Sequence, residues 1–144
     1  MFIGEYSNTI DEKGRVTIPV KFRAKLAGGA VVTKGEDGCL FLYAKEEWGE
    51  LAQKVASLPT ISQRGARAAA RKLLAGAMDV EIDRQGRVNL PAYLRAYGSL
   101  KSNAILAGLY NRIEIWDPTK WDEYKAGIES ADSEITEQFG ELGI

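Results

Sequence analysis

Two stretches of this chain carry the same charged and turn-forming residues at the same spacing. Residues 10–23 read Ile-Asp-Glu-Lys-Gly-Arg-Val-Thr-Ile-Pro-Val-Lys-Phe-Arg, and residues 82–95 read Ile-Asp-Arg-Gln-Gly-Arg-Val-Asn-Leu-Pro-Ala-Tyr-Leu-Arg. At an offset of 72, seven positions are identical: Ile10/Ile82, Asp11/Asp83, Gly14/Gly86, Arg15/Arg87, Val16/Val88, Pro19/Pro91 and Arg23/Arg95. The shared Asp-x-x-Gly-Arg suits a tight turn. Asp starts such a turn by accepting bonds from backbone N–H groups ahead of it, and Gly supplies a positive φ. Because Asp11 and Arg15 flank one turn, a charge-assisted bond between them is expected. An arginine on a rigid turn can also bind phosphate, or guanine bidentately through O6 and N7. Spacing alone leaves two readings of Arg15 open, a DNA contact and a pure salt bridge. Asp11 and Asp83 read first as shapers of the turn.

Local charge sets the two stretches apart. Residues 11–25 hold five basic residues (Lys13, Arg15, Lys21, Arg23, Lys25) against the two acidic Asp11 and Glu12. Around the second motif, Arg84, Arg87 and Arg95 are cancelled by Asp79, Glu81 and Asp83. The first motif is therefore expected to dominate attraction to nucleic acid. The whole chain has a net charge of −1, but residues 1–72 carry +4 and residues 73–144 carry −5. Such asymmetry points to a charged partner on one side. Arg64, Arg67 and Arg71 share one helical face. They read as a solvated or intersubunit ion-pairing face, with DNA contact as the alternative.

Histidine is absent and cysteine occurs once. The usual general base and the commonest metal ligand are missing, and no Cys/His zinc spacing exists. The chain is read as a non-enzyme without cofactor or metal. Cys39 reads as a buried small hydrophobe, and Trp48, Trp116 and Trp121 as core anchors. The opening Met-Phe-Ile-Gly-Glu does not read as a signal peptide, and no apolar run is long enough for a membrane span. A cytoplasmic protein is expected.

The elements that position the motifs follow from local pattern. Residues 5–10 and 15–18 read as strands forming a hairpin around the first turn. Pro19 opens a short helix to Leu26, with Val20, Phe22 and Leu26 among its apolar contacts. Strands are expected at 30–33 and 39–43, and a helix at 44–56 with Trp48, Leu51 and Val55 at helical spacing. The second copy repeats the plan, with strands at 79–82, 87–90, 104–107 and 112–116, a short helix after Pro91, and a helix capped by Asp117-Pro118. Matches beyond the motif (Gly4/Gly76, Gly35/Gly108, Leu40/Ile113, Leu42/Ile115, Trp48/Trp121) extend the repeat, with one residue inserted. The layout is a first repeat at 1–58, a linker helix at 59–73, a second repeat at 74–130 and an acidic tail at 131–144. The tail reads as frayed. Each half is too small to bury a sizeable core alone, so the halves are expected to pack face to face about a pseudo-twofold axis.

With the paired Asp-x-x-x-Arg, Asp11…Arg15 and Asp83…Arg87, and the opening Met-Phe-x-Gly, nearly the whole chain resembles the MraZ family. These are bacterial transcriptional regulators built from two SpoVT/AbrB-like units. The resemblance implies a mainly β, α+β fold: a tandem swapped-hairpin β-barrel with flanking helices, formed within one chain. It also implies a sequence-specific repressor in the nucleoid, acting on short promoter repeats before its own gene and a downstream division and cell-wall cluster. A ring-shaped homo-oligomer is implied too. The DNA-binding set is then Arg15, Lys13, Lys21, Arg23, Arg87 and Arg84, with Asp11, Gly14, Asp83 and Gly86 shaping the turns and orienting the arginines. The alternative is an antitoxin-like interaction module without strong DNA binding.

Overall fold

The short strands around each turn find their partners in the other repeat. The computed structural model describes residues 1–144. Strand β1 (Phe2–Thr9) leads through the first turn to β2 (Arg15–Thr17), followed by α1 (Val20–Leu26), β3 (Ala30–Lys34), β4 (Leu40–Ala44) and α2 (Lys45–Ala56). The linker forms α3 (Arg64–Ala70), which runs into a π-helical turn at Arg71–Ala75. The second repeat supplies β5 (Met78–Val80), β6 (Arg87–Asn89), α4 (Ala92–Tyr97), β7 (Asn103–Tyr110), β8 (Ile113–Trp116) and α5 (Pro118–Ser130), followed by α6 (Asp132–Glu141).

The fold is α+β, with a six-stranded antiparallel sheet in the order β1-β7-β8-β4-β3-β5 and a separate ribbon of β2 with β6. The sheet is open, with β1 and β5 as its edges, so the closed barrel implied by the family resemblance is not formed. A pseudo-twofold axis is present, but the halves interleave rather than meet face to face. Strand β1 pairs with β7 and β3 with β5, while β4 with β8 and β2 with β6 straddle the axis. The local hairpins shrink to single bridges, Ile10 with Val16 and Ile82 with Val88. The physical reason is partner length: β1 runs beside β7 from Phe2↔Tyr110 to Thr9↔Asn103, satisfying far more backbone groups than β2 could.

The ribbon closes the core. Val16, Ile18, Val88 and Leu90 are fully shielded from solvent, each contributing about 1.5–3 kcal/mol of burial. They join Phe22, Leu26, Leu40, Leu42, Leu94, Leu106, Ile113 and Ile115 in one cluster drawn from both repeats. Helix α1 buries Phe22 and Leu26, one turn apart, but Val20 is 75% exposed. Val20 stands first in the helix, behind Pro19 at the N-cap, and points off the inward face. Asp117 caps α5 as expected, accepting from Lys120 N at 3.1 Å. Trp116 is buried against Trp121 and Tyr124, while Trp48 and Trp121 are only half-buried.

The acidic C-terminal stretch is helical rather than frayed. Asp132 and Glu134 in its first turn complement the helix dipole. Ile135, Phe139 and Leu142 recur at spacings of four and three along one side. Phe139 is nonetheless 49% exposed. In the linker, Thr33 Oγ1 donates to Leu73 O at 2.8 Å and ties the π-helical turn to β3.

Candidate nucleic-acid interface

Each turn is built from the same bonds. Asp11 N donates to Arg15 O at 3.0 Å and Gly14 N to Asp11 O at 2.9 Å; Asp83 N to Arg87 O and Gly86 N to Asp83 O are 2.9 and 3.0 Å. The carboxylates complete the turns. Asp11 Oδ1 accepts from Lys13 N at 3.0 Å and Arg15 N at 2.9 Å, and Oδ2 accepts from Arg15 Nε at 2.6 Å. Asp83 Oδ1 accepts from Gln85 N and Arg87 N, and Oδ2 from Arg87 Nε, all at 2.9 Å. The backbone N–H of Arg15 holds Asp11 below its ordinary value of 3.8, and that of Arg87 does the same for Asp83. Desolvation opposes this as the next largest effect, and the arginine side-chain bonds add a further lowering. The salt bridge expected between Asp11 and Arg15 is formed. Arg15 Nε is held by Asp11, while its terminal Nη groups have no partner in the chain and remain free to donate.

The ribbon brings the two motifs together. Ile18 N donates to Gly86 O and Leu90 N to Gly14 O, both at 2.8 Å, so each turn is stitched to the other repeat's strand. Arg87 Nη1 lies 3.6 Å from Asp11 Oδ2, across the repeat boundary. The Arg15 and Arg87 side chains are 31% and 25% exposed. Both guanidiniums therefore stand on the outer face of one two-stranded ribbon. A ribbon of that width fits the major groove of B-DNA.

The other basic residues take several roles. Lys13 and Arg84 are exposed in the two turns. Lys21 and Lys25 lie over the Tyr6 and Phe2 rings at 5.6 and 5.3 Å. Arg23 Nε donates to Ile18 O at 2.9 Å, and its guanidinium packs against Gly86. Arg95, which the sequence reading left out of the site, mirrors it, donating to Leu90 O at 3.0 Å and packing against Gly14. Each turn glycine is thus required twice. Gly14 and Gly86 have φ of +87° and +78°, and a Cβ would strike the opposing arginine. The signal for Arg95 was available, since it is Arg23's counterpart in the repeat. The basic cluster at 11–25 is dispersed in space, with only Lys13 and Arg15 at the first turn. In the linker, Arg67 Nη1 bonds Thr60 O and Ile61 O at 3.1 and 2.9 Å, leaving Arg64 and Arg71 exposed.

Other chemistry has no comparable centre. Burial pushes the Cys39 thiol up to about 12, removing it as a nucleophile at neutral pH. No three acidic or cysteine side chains form a group able to hold a metal ion. No helix is long and apolar enough to cross a membrane.

Fold and site together define a class: a tandem-repeat α+β protein that presents paired, carboxylate-oriented arginines on a ribbon made jointly by its repeats. A family model described as "MraZ protein, putative antitoxin-like" matches residues 1–71 and again 73–139. The chain is similar to proteins named "Transcriptional regulator MraZ". That of Alkaliphilus oremlandii is 44% identical over 144 residues, covering 100% of both chains. That of Thermoanaerobacter pseudethanolicus is 44% identical and that of Natranaerobius thermophilus 42%, each over 144 residues and 100% of both chains. This chain belongs to the MraZ family.

Proposed function

We propose that this protein is a transcriptional regulator that binds duplex DNA through the β2–β6 ribbon and its two flanking turns. One observation carries the reading. The guanidiniums of Arg15 and Arg87 share the outer ribbon face, each held through Nε; both Nη groups of Arg15 stay free, whereas Arg87 Nη1 is also paired with Asp11. The arrangement at Arg15 is the one a bidentate contact to guanine needs. Lys13 and Arg84 at the turn tips supply phosphate contacts. Arg23, committed to the Gly86 turn, acts through position, and Lys21 adds charge on α1. The name shared by the relatives supports the regulatory role. By family resemblance, the targets are short promoter repeats upstream of the protein's own gene and the downstream division and cell-wall cluster. Repression follows from occupying that promoter. The protein works in the nucleoid as a closed, ring-like homo-oligomer whose subunits meet head to tail.

The test is binding to duplex from the promoter of its own gene across a salt series. A log–log slope of several units, with preference for that sequence kept throughout, supports the reading. Absence of binding at low salt overturns it in favour of an antitoxin-like interaction module, a reading favoured by the exposed Phe139, Leu142 and Ile144. Light scattering checks the ring, and a monomer mass at micromolar concentration rules it out for the free protein.

A further inference from the structure

Side chains alternate along a strand. Val16 and Val88 face the core, so Arg15 and Thr17 share the outer face of β2 with Arg87 and Asn89 on β6. The register sets Arg15 opposite Asn89 and Thr17 opposite Arg87. The bonds Ile18 N to Gly86 O and Leu90 N to Gly14 O mark the hydrogen-bonded pairs. By alternation, the two outward pairs are the non-hydrogen-bonded ones, with Cα atoms about 4.5 Å apart and side chains at their closest. The four side chains form a two-by-two patch. The pseudo-twofold exchanges Arg15 with Arg87, which are identical, and Thr17 with Asn89, which are not.

We propose that Thr17 and Asn89 read bases beside the two arginines, and that their difference gives the chain's DNA site a direction. The proposal rests on the DNA-binding reading above. An asparagine carboxamide both donates and accepts, matching adenine N6 and N7, whereas threonine offers a methyl to the thymine C5-methyl. Both groups are available. Thr17 commits only its backbone carbonyl, to Asn8 Nδ2 at 2.7 Å, and Asn89 is exposed. Asn89 borders a shallow concavity of ≈ 560 Å³ whose walls include Asp79 and Glu81. Those carboxylates repel phosphate, so the group that meets Asn89 is an uncharged base edge. Their counterparts in the first repeat are Ser7 and Thr9, which leave the backbone free to approach on that side. An exact twofold patch would select a dyad-symmetric step; this one selects an oriented step.

The experiment enriches binding sites from a duplex library with a randomised central segment, using parent, Asn89→Ala, Asn89→Thr and Thr17→Asn proteins. Thermal melting of each is followed in parallel. The parent is expected to enrich a unit without dyad symmetry. Asn89→Ala should lose roughly 5- to 150-fold discrimination at the base pair beside the arginine contact, with melting and low-salt binding kept. Asn89→Thr and Thr17→Asn each make the four-residue patch symmetric and should each shift the enriched unit toward dyad symmetry. A dyad-symmetric unit for the parent overturns the proposal. So does an unchanged unit and unchanged discrimination in Asn89→Ala. Either result leaves DNA binding itself standing, whereas failure of the parent to enrich any duplex fells both readings.

Discussion

The turn at Asp11–Gly14 and the turn at Asp83–Gly86 have the same skeleton and different surroundings. Both carboxylates accept two backbone N–H groups and an arginine Nε, and both glycines are roofed by an arginine of the opposite repeat. The surroundings diverge. Glu12 and Lys13 occupy the tip of the first turn, Arg84 and Gln85 that of the second. Arg15 has one carboxylate near it, whereas Arg87 has both Asp83 and Asp11. Asp79 and Glu81 flank the second turn where Ser7 and Thr9 flank the first. Skeleton bonds leave little room for variation, because each turn must both reverse the chain and hold the ribbon across the axis. The tip and flanks carry no such duty and can diverge. The first motif should still dominate DNA binding. The cause is the extra carboxylates around Arg87, since the run of positive charge at 11–25 is dispersed in space.

Replacing both arginines gives the largest effect. Arg15→Ala alone should cost roughly 1–3 kcal/mol of specific DNA affinity, Arg87→Ala less, and the double variant should lose specific binding. Melting should barely move, because half-exposed ion pairs contribute little. Equal losses for the two single variants would break the comparison and make the motifs equivalent half-sites. Normal binding with a lowered melting point would reduce Arg15 to a salt bridge.

The glycines test the shared skeleton. Gly14→Ala and Gly86→Ala should each destabilise the fold by about 1–3 kcal/mol, read by denaturant unfolding. At Gly14 a Cβ would lie 2.7 Å from Arg95 Nε and 2.9 Å from the Leu90 carbonyl oxygen, which cannot swing away. At Gly86 the nearest groups belong to the Arg23 guanidinium, and moving it breaks its bond to Ile18 O. A melting point unchanged by either substitution would contradict the packing of arginine over glycine.

The carboxylates separate the turns by a smaller margin. Asp11→Asn disturbs the surroundings of Arg15 and Arg87, Asp83→Asn those of Arg87 alone. The first should weaken DNA binding a few-fold more than the second. Both acids titrate below 3.8 in the fold. Their contribution to stability is therefore complete above that pH and is lost as pH falls through the lowered values. Carboxyl NMR titration giving either midpoint at or above 3.8 would refute the bonding described for that turn.

The smallest effect concerns α6. A chain ending at Ser130 loses Asp132, Glu134, Glu137 and Glu141. It should keep its fold and assembly and bind DNA modestly more tightly at low salt, with the gain shrinking as salt rises to physiological levels. No gain at low salt would show that α6 does not compete with phosphate. Loss of the oligomer would assign Phe139 and Leu142 to an interface.

Much of this protein was legible in its sequence because much of it is local. A turn needing Asp, Gly and a following Arg closes within five residues. The helix capped by Asp117 and the apolar runs of β3 and β4 are likewise matters of neighbouring residues. The repeat itself declared the pseudo-twofold axis. Tertiary structure decided what depends on partners far along the chain. Local pattern marks β1 as a strand, but not that β1 pairs with β7 instead of β2. It cannot reveal that Arg23 roofs Gly86 and Arg95 roofs Gly14, or that Lys21 and Lys25 turn toward the rings of β1. Nor does charge along the sequence measure charge in space, since a short helix sends successive side chains to different faces. The ribbon where Arg15, Thr17, Arg87 and Asn89 meet exists only once residues some 72 apart pair across the axis.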